Sequence, residues 1–156
     1  TLFFGGTKKN NEIVKVLNCL GKIIWCGRLG SGHSLKALNN FINASILNTY
    51  LEAITTAVKF GIKKNFLINA IDQATTGKNH PYFKKIKDGI LMKKYNSGFT
   101  LSLLTKDVQI ANNLIKKYVK NAIVSSNILR LLKKSKNKLG KNSDQLKLYK
   151  MWSNTI

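Results

Sequence analysis

Apolar and polar positions repeat with two different periods along this chain. At its start, the short apolar runs Thr1 to Phe4 and Lys22 to Cys26 (KIIWC) are β-branched and aromatic, and they read as strands. Between them, Lys9 to Leu20 brings apolar residues back at Ile13, Val14, Val16, Leu17 and Leu20 and closes on Gly21, the pattern of a helix with a glycine after its last turn. Strand, helix and strand make a βαβ unit. Two strands do not form a free-standing sheet, so these elements read as the last piece of a parallel sheet whose other strands lie outside the chain.

After Gly32 the period is helical throughout. His33 to Phe60 contains neither proline nor glycine, and as one helix it is roughly 42 Å long at ~1.5 Å per residue. Its apolar set (Leu35, Leu38, Ile42, Ile46, Leu47, Leu51, Ile54, Val58) lies largely away from Lys36, Asn40 and Asn43, which share one face at i, i+4 and i+7. A helix this long in a chain of 156 residues is expected to be the central member of a bundle. Shorter helices follow. Lys64 to Ala74 has Phe66, Leu67, Ala70 and Ile71 on one face, and Phe83 to Tyr95 is amphipathic and basic. Thr100 to Lys120 is a second long helix. Ser125 or Ser126 caps Asn127 to Lys138, and Ser143 caps a last helix from Asp144 to Trp152. The expected fold is mainly α, a helical bundle around one long central helix, preceded by a short βαβ remnant.

Charge changes this picture less than its size suggests. A net charge of +21 invites a nucleic-acid partner. Yet of the 27 basic residues only Arg28 and Arg130 are arginine, the side chain that forks onto phosphates and base edges. The lysines are spread along the chain beside many Asn and Ile, residues that share AT-rich codons. A basic helical nucleic-acid-binding module is therefore the second reading, and a steep salt dependence of binding would be its mark. Cys19 and Cys26 sit in apolar sequence and His33 and His80 stand far apart, so two buried free thiols are expected, with no metal site. No run of about 18 apolar residues offers a membrane span, no secretory signal pattern opens the chain, and a cytoplasmic location is expected. The start at Thr1 rather than Met reads as a fragment or a processed product.

Three stretches could carry chemistry. Gly27, Gly30 and Gly32 follow a strand and open a helix, but G-x-x-G-x-G inverts the order of a dinucleotide-binding turn, and no strand follows the helix. The turn's expected job is to deliver Lys36 at a fixed angle. Lys36 stands in the first turns of the long helix, where the positive end of the helix dipole disfavours a cation. It has carboxamides rather than acids on its face and apolar flanks, and a desolvated lysine there would suit general acid/base work. Lys106-Asp107 sits inside the apolar stretch LSLLTKDVQIANNL, where a structural ion pair and a functional site are both open.

Together these residues resemble the C-terminal part of a β-hydroxyacid dehydrogenase, of the 3-hydroxyisobutyrate dehydrogenase and tartronate semialdehyde reductase family. The family's G-x-x-G-x-G-x-x-x-K-x-x-N-N pattern is met by Gly27, Gly30, Gly32, Lys36, Asn39 and Asn40, and its K-D-[LV]-x-x-A pattern by Lys106, Asp107, Val108 and Ala111. Glu52, the turn Thr75 to Asn79 and the segment Gly98 to Leu101 fall between them in the family's order. The resemblance implies that residues 1–29 end an N-terminal Rossmann domain and that 30–156 form an all-helical substrate and dimerisation domain. It implies NAD or NADP as cofactor, bound mainly by the missing N-terminal domain, and a short β-hydroxy acid such as 3-hydroxyisobutyrate or tartronate semialdehyde as substrate. Lys36 would be the catalytic lysine, Asn40 and Phe99 would meet the substrate, and Lys106 would reach the cofactor side. A homodimer or homotetramer through the helical domain is implied as well. The family's G-x-G-x-x-G turn and its serine-glycine-glycine substrate loop are absent here, which leaves an inactive truncated remnant as a further alternative.

Overall fold

The computed structural model describes residues 1–6, 11–74, 76–78 and 80–153. Strand β1 (Leu2–Phe4) pairs in parallel with β2 (Ile23–Trp25), Leu2 opposite Ile23 and Phe4 opposite Trp25, with helix α1 (Asn11–Asn18) as the crossover. Lys9 and Asn10, at the start of the expected first helix, lie outside the described residues, as do Thr75 and Asn79 of the threonine-glycine turn. Val16 on α1 is 67% exposed, and Leu20, in the turn just past its end, is 72% exposed. The cysteines are not buried as the sequence suggested. Cys19, in the turn after α1, is exposed, and Cys26, just past β2, is half-exposed.

Helix α2 (Ser31–Lys59) begins two residues before the expected start, after Gly30 at φ 86°, a left-handed turn that glycine adopts without strain. Gly32 then lies so close to the strand that a Cβ there would stand 2.3 Å from the Phe3 carbonyl oxygen. The first turn of α2, one turn before Lys36, is thereby held against β1. Alanine in a helix normally stabilises relative to glycine by about 0.5–1 kcal/mol; Gly32→Ala should reverse that sign and cost about 1–3 kcal/mol through overpacking. A thermal melt checks it, and a Tm equal to or above the parent would refute the close contact.

At its far end α2 stops in a Schellman motif, with Gly61 at φ 107° and the Ile62 N–H bonded to the Ala57 carbonyl at 3.0 Å. Around it pack α3 (Lys64–Gln73), α4 (Pro81–Leu91), α5 (Leu101–Tyr118), α6 (Ile123–Leu139) and α7 (Tyr149–Ser153), all of which touch α2. Encirclement explains why α2 buries residues on several faces: Ala37, Ala44, Leu47, Leu51 and Ile54 are all enclosed. They meet Ile68 of α3, Phe83, Ile86 and Ile90 of α4, Leu101, Leu104 and Val108 of α5, and Leu132 of α6. Among the described residues the fold is thus a mainly helical bundle around one long central helix behind a βαβ remnant.

Several local expectations change. Phe66 points outward and Ile68 fills the core in its place, since α3 turns its Leu67–Ile68–Ile71 side to α2. Helix α4 ends at Leu91 because Lys93 adopts φ 54°. Helix α6 starts at Ile123, ahead of the serines expected to cap it. Ser125 and Ser126 both donate to Asn112 Oδ1, at 3.0 and 3.2 Å, and so tie α6 to α5. The final segment is a 3-10 turn (Gln145–Leu148) leading into α7, capped by Asp144 rather than Ser143.

Candidate active site

Two helices form the floor of the site. On α2, Lys36 is exposed while Asn40 and Asn43, one and two turns on, are half-buried. On α5, neighbouring residues separate: Lys106 is exposed and Asp107 is 6% exposed. Adjacent helical residues point about 100° apart, so the Lys106-Asp107 pair seen in the sequence is no ion pair. Asp107 is satisfied across the helix interface instead, where Asn40 Nδ2 donates to Asp107 Oδ2 at 2.6 Å. A carboxylate only accepts, so this contact fixes the amide: its NH2 faces α5 and its oxygen faces away. Lys36 is not desolvated as its apolar sequence neighbours implied, because Leu35 and Leu38 lie on other faces of the helix.

Beside Asn40 lies a cavity of about 240 Å³ lined by Asn40, Asn43, Tyr82, Lys85, Ser97, Gly98, Phe99, Leu104 and Gln145. Its far wall is a relay of hydrogen bonds. Tyr82 Oη donates to Gln145 Oε1 at 3.0 Å, Gln145 Nε2 to Ser97 Oγ at 3.1 Å, and Ser97 Oγ to Asp144 Oδ2 at 2.8 Å. The Ser97 N–H also donates to Asp144 Oδ2, and the Leu146 N–H to Asp144 Oδ1. This relay shapes the Gly98–Phe99 segment, and Gly98 takes φ 75° to turn Phe99 onto the cavity. Of the four site residues expected from sequence, the structure brings Asn40 and Phe99 to one cavity, while Lys36 and Lys106 stand exposed outside it. Tyr82, Lys85, Ser97 and Gln145 carried no sequence signal, because the fold gathers them from loops and helices distant in the chain. Among the described residues no cluster of His, Cys, Asp and Glu could hold a metal, and no helix is long and apolar enough to cross a membrane.

Burial, and after it the Asp144 carboxylate, pushes the Tyr82 phenol up from 10.0 to about 12. Burial moves Tyr50 and Tyr149 in the same direction. The unfolded chain therefore releases these protons first. Their stabilisation is complete below pH 10 and is lost as pH rises from 10 towards 12. Tyr82→Phe should flatten that decline, measured as the urea midpoint against pH; an unchanged slope would contradict a buried neutral phenol.

Comparison with known proteins gives the family. Residues 30–152 match the family described as NAD-binding of NADP-dependent 3-hydroxyisobutyrate dehydrogenase. The mitochondrial 3-hydroxyisobutyrate dehydrogenase of Drosophila melanogaster is 31% identical over 122 residues, which is 73% of this chain and 37% of that protein. The 3-hydroxyisobutyrate dehydrogenase of Salmonella typhimurium shares the fold at a TM-score of 0.80 and 16% identity, covering 94% of this chain and 52% of its own. The Mycobacterium tuberculosis 3-hydroxyisobutyrate dehydrogenase, solved with L-serine, follows at 0.78 and 22%, covering 97% and 55%. The chain thus spans little more than a third of the Drosophila relative and about half of the solved chains. With residues 30–152 matched, from the glycine turn through the last helix, this chain belongs to the 3-hydroxyisobutyrate dehydrogenase family.

Proposed function

We propose that this chain is the C-terminal part of an NAD(P)-dependent dehydrogenase that interconverts a short β-hydroxy acid and its carbonyl counterpart. In this reading 1–29 end a Rossmann domain and 30–156 form the helical substrate domain. The exposure of Val16 on α1 and of Leu20 just past its end supports the division, since an amphipathic helix buries such apolar residues against further structure. The observation that carries the function is the 2.6 Å bond from Asn40 to Asp107. It joins the two motifs that the sequence holds about 70 residues apart, and it stands one helical turn from Lys36.

The residues present fit part of a dinucleotide site. Lys36 and Lys106 are exposed cations on the two helices joined by that bond, and Lys106 is the one assigned to the cofactor. The glycine turn is not of dinucleotide-binding order, so most of the cofactor's contacts fall to other parts of the enzyme. When bound, the nicotinamide supplies the hydride transfer. Lys36 takes the hydroxyl proton in oxidation and returns it to the carbonyl oxygen in reduction. Asn40, its amide fixed by Asp107, offers its oxygen to the Lys36 ammonium or the substrate hydroxyl and so aims the proton. Phe99 closes the pocket against water.

The test is an assay of the full-length enzyme on 3-hydroxyisobutyrate, tartronate semialdehyde and related acids with each cofactor, followed at the nicotinamide absorbance. Turnover of at least one acid is expected. No turnover across the panel, from a folded enzyme that binds dinucleotide, would leave the reading without support.

A further inference from the structure

The cavity beside Asn40 is polar, and most of its polar groups are spoken for. Tyr82, Gln145 and Ser97 bond one another, Ser97 is anchored on Asp144, and Asn40 is held by Asp107. Two lining groups are not. Neither the Lys85 ammonium nor the Asn43 carboxamide has a hydrogen-bond or ion-pair partner among the described residues; the ion pair on α4 belongs to Lys87, which holds Asp72 at 2.5 Å. Asp144 and Asp107 are already engaged, so neither carboxylate neutralises Lys85. Phe99 and Leu104 add apolar wall to the same cavity.

A molecule anchored at Lys36 and Asn40 extends its far end into this cavity, where it meets the solvent-exposed Lys85 ammonium, which no carboxylate neutralises, and the Asn43 carboxamide from α2 on the same lining. We infer that Lys85, with Asn43, recognises a second anionic group at the far end of the substrate. The preferred substrate is then a β-hydroxy acid that ends in a carboxylate rather than in an alkyl group. This rests on the dehydrogenase reading above and adds the substrate class. At about 240 Å³ the cavity is small, which suits a short chain between the two acid groups. Lys84, the adjacent residue, is equally charged and exposed but does not line the cavity.

The full-length enzyme separates these cases with 2-(hydroxymethyl)butanedioate and its 4-amide, which match in length and differ in the distal charge. A charge-assisted hydrogen bond makes the parent favour the diacid by about tenfold or more in kcat/KM. Lys85→Met should erase that preference, mainly through KM. Lys85→Arg should keep it, Lys85→Glu should turn it against the diacid, and Lys84→Met should leave it in place. A parent that treats both compounds alike overturns the inference. So does a Lys85→Met enzyme that keeps the preference, or one whose only defect is a raised KM for the dinucleotide. Turnover of simple β-hydroxy acids without diacid preference removes Lys85 alone; turnover of none removes the dehydrogenase reading with it.

Discussion

Replacing Lys36 with alanine in the complete enzyme should abolish measurable turnover and leave dinucleotide affinity nearly unchanged. Proton transfer by a positioned side chain contributes about 10²–10⁴ in rate, and in the proposed reading the other two ammonium groups near the site have other tasks, Lys106 at the cofactor and Lys85 at the far end of the substrate. Lys36 is exposed and makes no core contact, so the variant should melt with the parent, and lost activity cannot be ascribed to lost fold. Two further measurements distinguish a proton donor from a mere electrostatic anchor. Small primary amines added to Lys36→Ala should restore part of the rate, in an amount that tracks amine basicity. Lys36→Arg should stay inactive, because a guanidinium keeps its charge but does not give up its proton. An active arginine variant would mean that the charge at 36 binds substrate and that another group moves the proton.

The bundle was legible in the sequence because its signals are local. The proline-free run, the glycine at 61 and the βαβ order at the start each follow from backbone preferences within a few residues. The errors share one cause. Sequence spacing does not reveal which partner an element will meet. Phe66 was expected in the core and is exposed, because the approach of α3 to α2 selects Ile68. The serines at 125 and 126 look like helix caps until Asn112, buried on α5, takes both hydroxyls. The candidate site divides in the same way. Lys36, Asn40 and Lys106 stand in linear motifs, which is why the sequence offers them as candidates. The Tyr82–Gln145–Ser97–Asp144 relay and the unmatched Lys85 exist only where α4, the 95–99 loop and the 3-10 turn converge, so no single stretch announces them.

Asp107→Asn should lower kcat severalfold with little change in stability, because a carboxamide at 107 still bonds Asn40 but no longer sets its direction. The carboxylate does one thing that a carboxamide does not: being an acceptor only, it dictates which way the Asn40 amide points. With asparagine at 107, Asn40 can bond through either end. In the flipped state it presents an NH2 where its oxygen should hold the Lys36 ammonium or the substrate hydroxyl. Shape is kept and direction is lost. The defect should therefore fall on kcat more than on KM, and Asn40→Asp in the parent should not reproduce it, because a second acid facing Asp107 would strain the fold as well. Asp107→Ala separates the structural contribution. It leaves the Asn40 amide without its partner at a buried contact, which should cost about 1–3 kcal/mol of stability beyond any effect on rate. If Asp107→Asn turns over like the parent while Asp107→Ala only melts earlier, the bond between the two motifs is a packing device, and the aim of the Lys36 proton must come from elsewhere in the enzyme.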